Sequence, residues 1–179
     1  SYALGGWVPP IGIEYRVDVL NAFILLLVSL ISAVVVPYAK RSVEKEIPAN
    51  KQAWYYAIFL LCVCGLLGMA ITGDAFNIFV FMEVSSLATY ALISMGRDRR
   101  ALLAAYQYLI MGTIGATMYV IGVGFLYSMT GTLNLADIAT RLEGIENSRA
   151  VLAALAFLTV GISLKLALFP LHVWLPNAY

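Results

Sequence analysis

The chain has 179 residues, of which 62% are hydrophobic and only 12% are charged, and its formal net charge is +1. Soluble domains carry about 25% charged residues, so this composition, with a mean hydropathy of +0.88, excludes an ordinary soluble domain. The near-zero net charge also argues against a nucleic-acid partner, because a surface that binds nucleic acid needs an excess of basic residues.

A helix that crosses a bilayer needs roughly 20 mostly apolar residues. Five segments meet or nearly meet this requirement: 18–38, 54–72, 75–96, 101–128 and 150–176. The last segment contains Pro170 and Pro176, so we predict that its helix is broken. The sequence therefore predicts an all-α polytopic membrane protein with about five transmembrane helices in one membrane domain, 1–179.

The sequence at each end of the chain indicates a truncation. The chain begins in a loop-like stretch, SYALGGWVPP, and ends at WLPNAY, directly after an apolar segment. We therefore expect it to be a partial chain that belongs to a larger helix bundle.

The Lys and Arg residues of the connecting segments are divided unequally. Because successive connections alternate sides, seven of the ten loop cations fall on one side and three on the other. Cytoplasmic loops carry the excess of Lys and Arg. We therefore predict a multi-pass protein of the cell's inner or plasma membrane, with residue 1 and the loop 129–149 outside and the loops 39–53 and 97–100 in the cytoplasm.

The second segment contains the only two cysteines, Cys62 and Cys64. Residues two apart on a helix point to different faces, so we expect no shared metal site. The sequence also has no cysteine quartet for an iron–sulfur cluster and no glycine-rich nucleotide loop. We therefore expect no metal and no cofactor in this chain.

The third segment carries a carboxylate in its interior. Glu83 follows eight residues of its segment and precedes thirteen more. Ser86 and Tyr90 lie three and seven residues further on, at helical spacing that puts them on the same face. In the fourth segment Tyr106, Thr113 and Thr117 are spaced by seven and four, and such hydroxyls either hold water near a carboxylate or bond one helix to another.

The last segment carries the second charge at depth. Lys165 follows fifteen uncharged residues, and Pro170 comes five residues later. A broken helix is tolerated at membrane depth where protein or a water-filled cavity surrounds it, and transporters place such breaks at their binding sites. His172, the only histidine, follows the proline, and imidazole is the side chain whose charge changes near neutral pH. An interfacial histidine at a helix end is the alternative.

Three interpretations of Glu83 and Lys165 are open on these observations. Long side chains can reach the membrane surface, which suits lysine better than the shorter glutamate. The two residues can also form a static buried ion pair. The third interpretation is an ion or proton path, since ionisable residues within a membrane are usually functional. We expect the segments 75–96 and 150–170 to bring the two side chains into contact, directly or through one water.

Two stretches, TGDAFNIFVFMEVSSLATYALI and KLALFPLHVWLPNAY, resemble the antiporter-like membrane subunits of complex I, Mrp cation/proton antiporters and membrane-bound hydrogenases. The D-type Mrp subunit and its counterparts in archaeal respiratory complexes are the most similar. The stretches GGWVPPIGIEYRVDVLNAF and YQYLIMGTIGATMYVIGVGFLYSMTGTLNLADIA extend the resemblance over most of the chain.

The resemblance implies a fold and a set of site residues. Family members have about fourteen helices with two inverted five-helix repeats, and this chain would correspond to helices three to seven. Glu83 matches the family's key glutamate, Lys165 its key lysine on a broken helix, and His172 the histidine of the H-x-W-L-P stretch. Asn177 stands where many members have aspartate.

The implied function is proton or cation translocation within a multisubunit respiratory membrane complex, whose other membrane subunits are the expected partners and whose ions are H⁺, Na⁺ or both. At ~4 Å and an effective dielectric near 20, the attraction between the two charges is about 4 kcal/mol. Glu83 would thus favour the charged lysine, and separation would favour proton release. A stand-alone cation/proton antiporter and a truncated structural subunit that moves no ion are the two alternatives.

Overall fold

The computed structural model describes residues 1–178; Tyr179 lies outside the described residues. Helices account for most of the chain, with a two-strand hairpin near the N-terminus. In chain order the elements are β1 (Tyr2–Ala3), β2 (Glu14–Tyr15), α1 (Val19–Glu46), α2 (Gln52–Ile71), α3 (Ala75–Ser94), α4 (Arg99–Thr130), α5 (Leu135–Leu142), α6 (Arg149–Lys165) and α7 (Leu175–Ala178).

Within residues 1–178, four helical segments are long and apolar enough to cross a membrane. They are α1, the segment Ala49–Ile71 that contains α2, then α3 and α4. The helix α6 has 17 residues, fewer than the roughly 20 that a simple span requires, so the expected count of five is not confirmed. The chain is nevertheless an α-helical, multi-pass membrane protein, as the sequence predicts.

The helix starts are set by polar side chains. Asp74 occupies the N-cap of α3, where its Oδ1 accepts a hydrogen bond of 2.7 Å from the Asn77 amide. Polar side chains whose oxygen accepts a hydrogen bond from a backbone amide also cap α1, α4, α5 and α6, namely Asp18, Asp98, Asn134 and Ser148. An accepting oxygen at this position satisfies amides that have no partner within the helix.

The first helix is longer than the apolar segment that predicts it. It continues through Pro37 to Glu46, beyond the predicted end at 38. Apolar composition marks the part of a helix that contacts lipid, whereas helix formation itself tolerates the charged residues that follow. The predicted boundary therefore marks the end of the apolar run rather than the end of the helix.

The loop 129–149 contains the short helix α5. Ile138 of α5 is buried and packs with Tyr119, Val123 and Leu126 of α4. Arg141 donates to the Thr130 carbonyl over 3.0 Å. Its Nε also donates to Asp137 Oδ1 over 3.0 Å, and this second hydrogen bond lowers the pKa of the partly exposed Asp137 carboxyl. The helix α5 therefore closes one end of the bundle.

Three segments that are distant in sequence meet at that same end. The Gly73 amide donates to the Glu14 carbonyl over 2.8 Å, and the Ala75 amide donates to the Leu133 carbonyl over 2.8 Å. The Asn134 side-chain amide also donates to Glu14 Oε2 over 3.2 Å. The N-terminal hairpin, the α2–α3 turn and the 129–149 loop thus lie on one side of the bundle, in agreement with the alternation used to predict topology.

Two glycines allow α4 and α6 to approach closely. A Cβ atom placed on Gly161 of α6 would lie 2.7 Å from the Gly115 carbonyl oxygen and 2.7 Å from the Tyr119 amide nitrogen. Both are backbone atoms of α4, which cannot rotate away as a side chain can. This crossing lies one turn before Lys165 and therefore fixes where the lysine emerges from the helix.

We expect Gly161→Ala to lower the stability of the assembled protein by about 1–3 kcal/mol, because the added methyl group overpacks a backbone contact. Thermal denaturation of the membrane-embedded protein measures this loss. Gly124→Ala on α4 is the matched control, since a Cβ atom there meets nothing within 4 Å. The packing argument is wrong if both substitutions have the same effect.

Candidate functional site

Lys165 and Glu83 are in direct contact. The Lys165 Nζ donates to Glu83 Oε1 over 2.8 Å and to the Ser86 hydroxyl over 2.8 Å. The lysine and glutamate side chains are 10% and 23% exposed, so the pair is partly rather than fully buried. The expected contact between the third and last segments is present, and it includes the neighbouring serine.

Lys165 is the last residue of α6, although the sequence predicts the break at Pro170. Proline disfavours helical backbone at the residue before it and provides no amide for the carbonyl four residues earlier. The helix therefore ends before the proline, and Pro170 lies in the turn region that follows. The carboxyl end of a helix carries partial negative charge, which stabilises a cation such as Lys165 by about 0.3–1 kcal/mol.

The residue Ala167 marks the change of direction after α6. Its φ of 52° lies in the left-handed region, which is uncommon for a residue with a Cβ atom. The last carbonyls of α6 are satisfied locally, with the Leu166 amide donating to Ile162 over 2.8 Å and the Leu168 amide donating to Ser163 over 3.0 Å. The chain then continues along α4 towards the N-terminal end of that helix, where Trp174 stacks on Tyr108 and Asn177 donates to Gln107.

Ser86 and Tyr90 lie on the face of α3 that bears Glu83. Both are buried, at 7% and 6% exposure. The Tyr90 hydroxyl is packed against Gly112 of α4, since a Cβ atom there would lie 1.9 Å from it. The structure thus places these two predicted site residues beside the ion pair, with Ser86 in direct contact.

The three hydroxyl-bearing residues of α4 that the sequence predicts as site residues lie away from the ion pair. Tyr106 is 60% exposed, and Thr113 and Thr117 also lie on the exposed face of the helix. The two threonine hydroxyls donate to carbonyls of their own helix, at Leu109 and Thr113. The three residues share a face, as their spacing predicts, but their hydroxyls make no hydrogen bond to Glu83 or Lys165 among residues 1–178.

His172 lies in the segment after Pro170. Its Nδ1 is buried and has no hydrogen-bond partner among the described residues, and its ring lies 5.4 Å from that of Phe169. Within the described chain it makes no ion pair or hydrogen bond with Glu83 or Lys165. Its assignment to the ion path therefore stays a prediction.

Trp174 is a buried residue that the sequence reasoning missed. Its indole Nε1 donates to the Leu164 carbonyl over 3.1 Å, one residue before the lysine. Its ring stacks on Tyr108 of α4 with centroids 4.0 Å apart. The sequence signal that could have identified Trp174 was its position two residues after His172. A buried tryptophan combines a large apolar ring with one N–H group that needs a hydrogen-bond partner.

The two cysteines point to different surroundings. The Cys62 Sγ lies 3.4 Å from the Thr89 hydroxyl and 3.6 Å from the Ser85 hydroxyl, whereas Cys64 is exposed. No group of three or more metal-ligating side chains converges within residues 1–178.

A family model described as NADH:quinone oxidoreductase/Mrp antiporter, TM, matches residues 72–179, a range that includes Glu83, Ser86 and Lys165. NADH-quinone oxidoreductase subunit N of Desulforudis audaxviator is 48% identical over 178 residues, which are 99% of this chain and 35% of the relative.

Two solved structures are also similar over 99% of the chain. A chain of the membrane-bound sulfane sulfur reductase, an archaeal respiratory membrane complex, superposes with a TM-score of 0.84 at 35% identity, over 35% of its length. A chain of the Mrp complex from a Dietzia species superposes with a TM-score of 0.85 at 28% identity, over 33% of its length. The chain therefore spans about a third of the length of the proteins that it matches.

Proposed function

The chain belongs to the NADH:quinone oxidoreductase/Mrp antiporter transmembrane family, and from that premise we propose that it is the proton- or cation-translocating part of an antiporter-like subunit in a multisubunit respiratory membrane complex. Its partners in this proposal are the other membrane subunits of the complex, and the transported ion is H⁺ or Na⁺. Any electron transfer belongs to other subunits.

The contact between Lys165 and Glu83 carries the proposal. An ammonium group can release a proton, and a carboxylate at 2.8 Å stabilises the charged form. Two opposite charges in a partly buried site are costly to desolvate, and replacing them with packed apolar groups is often neutral or stabilising. A pair at this depth is therefore better explained by ion transfer than by stability.

The proposed mechanism is a change in the distance between the two groups. While Glu83 and Lys165 are in contact, the attraction holds the lysine in its charged form. When they separate, the lysine keeps the Ser86 hydroxyl and the helix end as partners, which stabilise an ammonium less than a carboxylate does. Lys165 can then pass its proton onward.

The other predicted site residues support the proposal only as candidate path residues. The Nδ1 of His172, which has no hydrogen-bond partner in the part of the chain that the structure describes, is a group that can accept a proton. The face of α4 with Tyr106, Thr113 and Thr117 is exposed in this chain, and in a protein about three times as long another helix can cover it and enclose water.

Ion uptake into vesicles tests the proposal. We expect vesicles that contain the whole complex with the full-length protein to take up H⁺ or Na⁺ when the complex is energised, and vesicles that contain the full-length protein alone to show no exchange. Exchange by the isolated protein would instead identify a stand-alone antiporter. Undiminished uptake by a complex that carries both Glu83→Gln and Lys165→Ala would identify a structural subunit.

The orientation of the chain gives a separate prediction, which depends on the division of loop cations into seven and three. In a background without the two native cysteines, a membrane-impermeant maleimide added to intact cells should label Ile11→Cys and Glu143→Cys. It should label Lys45→Cys and Arg97→Cys only after the cells are opened. All four positions are exposed, so a reversed pattern would show that the orientation is inverted.

A further inference from the structure

The indole of Trp174 lies next to the turn of α6 that carries Lys165. We propose that Trp174 is a positioning residue for Lys165, which holds the end of α6 so that the ammonium stays within reach of Glu83. The inference rests on the proposed function. It gives Trp174 a role in that function although its side chain contacts neither partner of the ion pair.

The Leu164 carbonyl at the end of α6 accepts a hydrogen bond from the Trp174 indole in addition to a local one. In a continuing helix the Leu168 amide would donate to the Leu164 carbonyl, but here it donates to Ser163 over 3.0 Å. The Leu164 carbonyl instead receives the Ala167 amide at 3.3 Å and the Trp174 indole at 3.1 Å. Trp174 is 5% exposed, so water cannot easily replace either half of this bond.

The ring of Trp174 is fixed by aromatic packing. It is nearly parallel to Tyr108 of α4, with an interplanar angle of 5° and centroids 4.0 Å apart. Tyr108 meets Tyr90 of α3 edge to face, with centroids 4.6 Å apart and an angle of 81°. Asn177, three residues further on, donates to Gln107 of α4 over 3.0 Å and holds the same segment from its other side.

These contacts connect Lys165 to Trp174 through residues of α3 and α4. From Lys165 they run through Ser86 and Tyr90 on α3, then through Tyr108 on α4 to Trp174, which returns to α6 at Leu164. Because Ser86 and Tyr90 are one turn apart on α3 and the other members are in direct contact, displacement of Trp174 moves the last turn of α6 relative to the helix that carries Glu83.

The backbone between Lys165 and Trp174 gives an independent reason for such a restraint. Ala167 has a φ of 52°, and a left-handed residue with a Cβ atom persists only where the surrounding structure determines it. The hydrogen bond from Trp174 to Leu164 closes the segment that contains Ala167. Without this bond, the strained turn can relax and shift Lys165.

The test compares two substitutions of Trp174 in the full-length protein within its assembled complex. Trp174→Phe keeps a ring for stacking but removes the N–H donor, and Trp174→Leu removes both. Trp54→Phe is the matched control, because Trp54 is 68% exposed. Ion uptake into vesicles is measured per assembled complex over a range of pH.

We expect Trp174→Phe to lower uptake by about twofold to tenfold, which is the range for loss of one hydrogen bond, and Trp174→Leu to lower it further. The decline of uptake with rising pH should begin at lower pH, as in Glu83→Gln, because a lysine further from Glu83 releases its proton more easily. The neighbouring elements also carry Tyr90, Tyr106, Tyr108, Tyr119, Tyr127, Arg99, Arg100 and His172, but only Glu83 forms an ion pair with Lys165 among residues 1–178. Trp54→Phe should leave the profile unchanged.

Two results would overturn the inference. Wild-type uptake and pH profile in both Trp174 variants would show that the residue does not position the lysine. Reduced amounts of complex, with an unchanged profile per assembled complex, would show that Trp174 only supports folding, and Trp174→Phe decides this if Trp174→Leu does not assemble. If Glu83→Gln and Lys165→Ala also leave uptake unchanged, the proposed function fails; if those two impair uptake, only the role of Trp174 fails.

Discussion

Lys165→Ala is expected to abolish ion uptake by the assembled complex, because it removes the group of the contact pair that carries and releases the proton in the proposed mechanism. Lys165→Arg is expected to abolish uptake as well. Arginine keeps the positive charge beside Glu83, but its guanidinium does not deprotonate in proteins. A requirement for charge alone would be met by arginine, whereas a requirement for proton release would not.

Uptake into vesicles per assembled complex measures both Lys165 variants, and Lys45→Ala at an exposed position is the control for loss of a lysine. We expect Lys165→Arg to assemble at close to the wild-type level, since Glu83 keeps an ionic partner. Lys165→Ala should assemble less well, because Glu83 is then left without its partner in a partly buried site. Wild-type uptake by Lys165→Arg would rule out proton release by this residue.

The ion pair could be predicted from the sequence, because charge in an apolar helix is a local signal. Glu83 and Lys165 each stand far inside an uncharged segment, and a polar group at that depth needs a partner. With opposite charges available on two segments, the contact of 2.8 Å follows from the cost of leaving either one alone. Ser86 follows from helical spacing, which identifies the face that Glu83 occupies.

The position of Trp174 could not be predicted in the same way, because it depends on where α6 ends. Helical spacing predicts which residues share a face only within one helix, so it does not locate residues that follow the break. The sequence predicts the break at Pro170, but α6 ends at Lys165, and the following segment continues along α4 without helical spacing. The threonines of α4 show a second limit, since spacing identifies a shared face but not the neighbour that covers it.

The interactions of the charged lysine differ in size, and this difference decides what removal of the carboxylate should do. At ~4 Å and an effective dielectric near 20 the ion pair contributes about 4 kcal/mol. The end of α6 contributes about 0.3–1 kcal/mol, and a hydrogen bond from a charged donor to the Ser86 hydroxyl contributes about 1.5–3 kcal/mol. Glu83 is therefore the largest single contribution, although the lysine retains two others without it.

Glu83→Gln is accordingly expected to lower ion uptake per assembled complex by between about fivefold and seventyfold while most of the assembly survives. The glutamine amide oxygen can still accept a hydrogen bond of about 1.5–3 kcal/mol from Lys165, which leaves a net loss of about 1–2.5 kcal/mol from the ion pair. Glu143→Gln, at an exposed position, is the control for the same chemical change. Uptake and the amount of assembled complex are measured separately on the same membranes.

The same substitution separates ion transfer from a static ion pair. If the pair only stabilises the fold, Glu83→Gln strands the charge of Lys165 in a partly buried site, and uptake falls in proportion to lost assembly. If Glu83 instead controls how easily Lys165 releases its proton, ion uptake per assembled complex falls. The decline of uptake with rising pH then begins at a lower pH than in the wild type. Wild-type uptake by a fully assembled Glu83→Gln complex would exclude the coupling role of this glutamate, whatever the geometry of the contact.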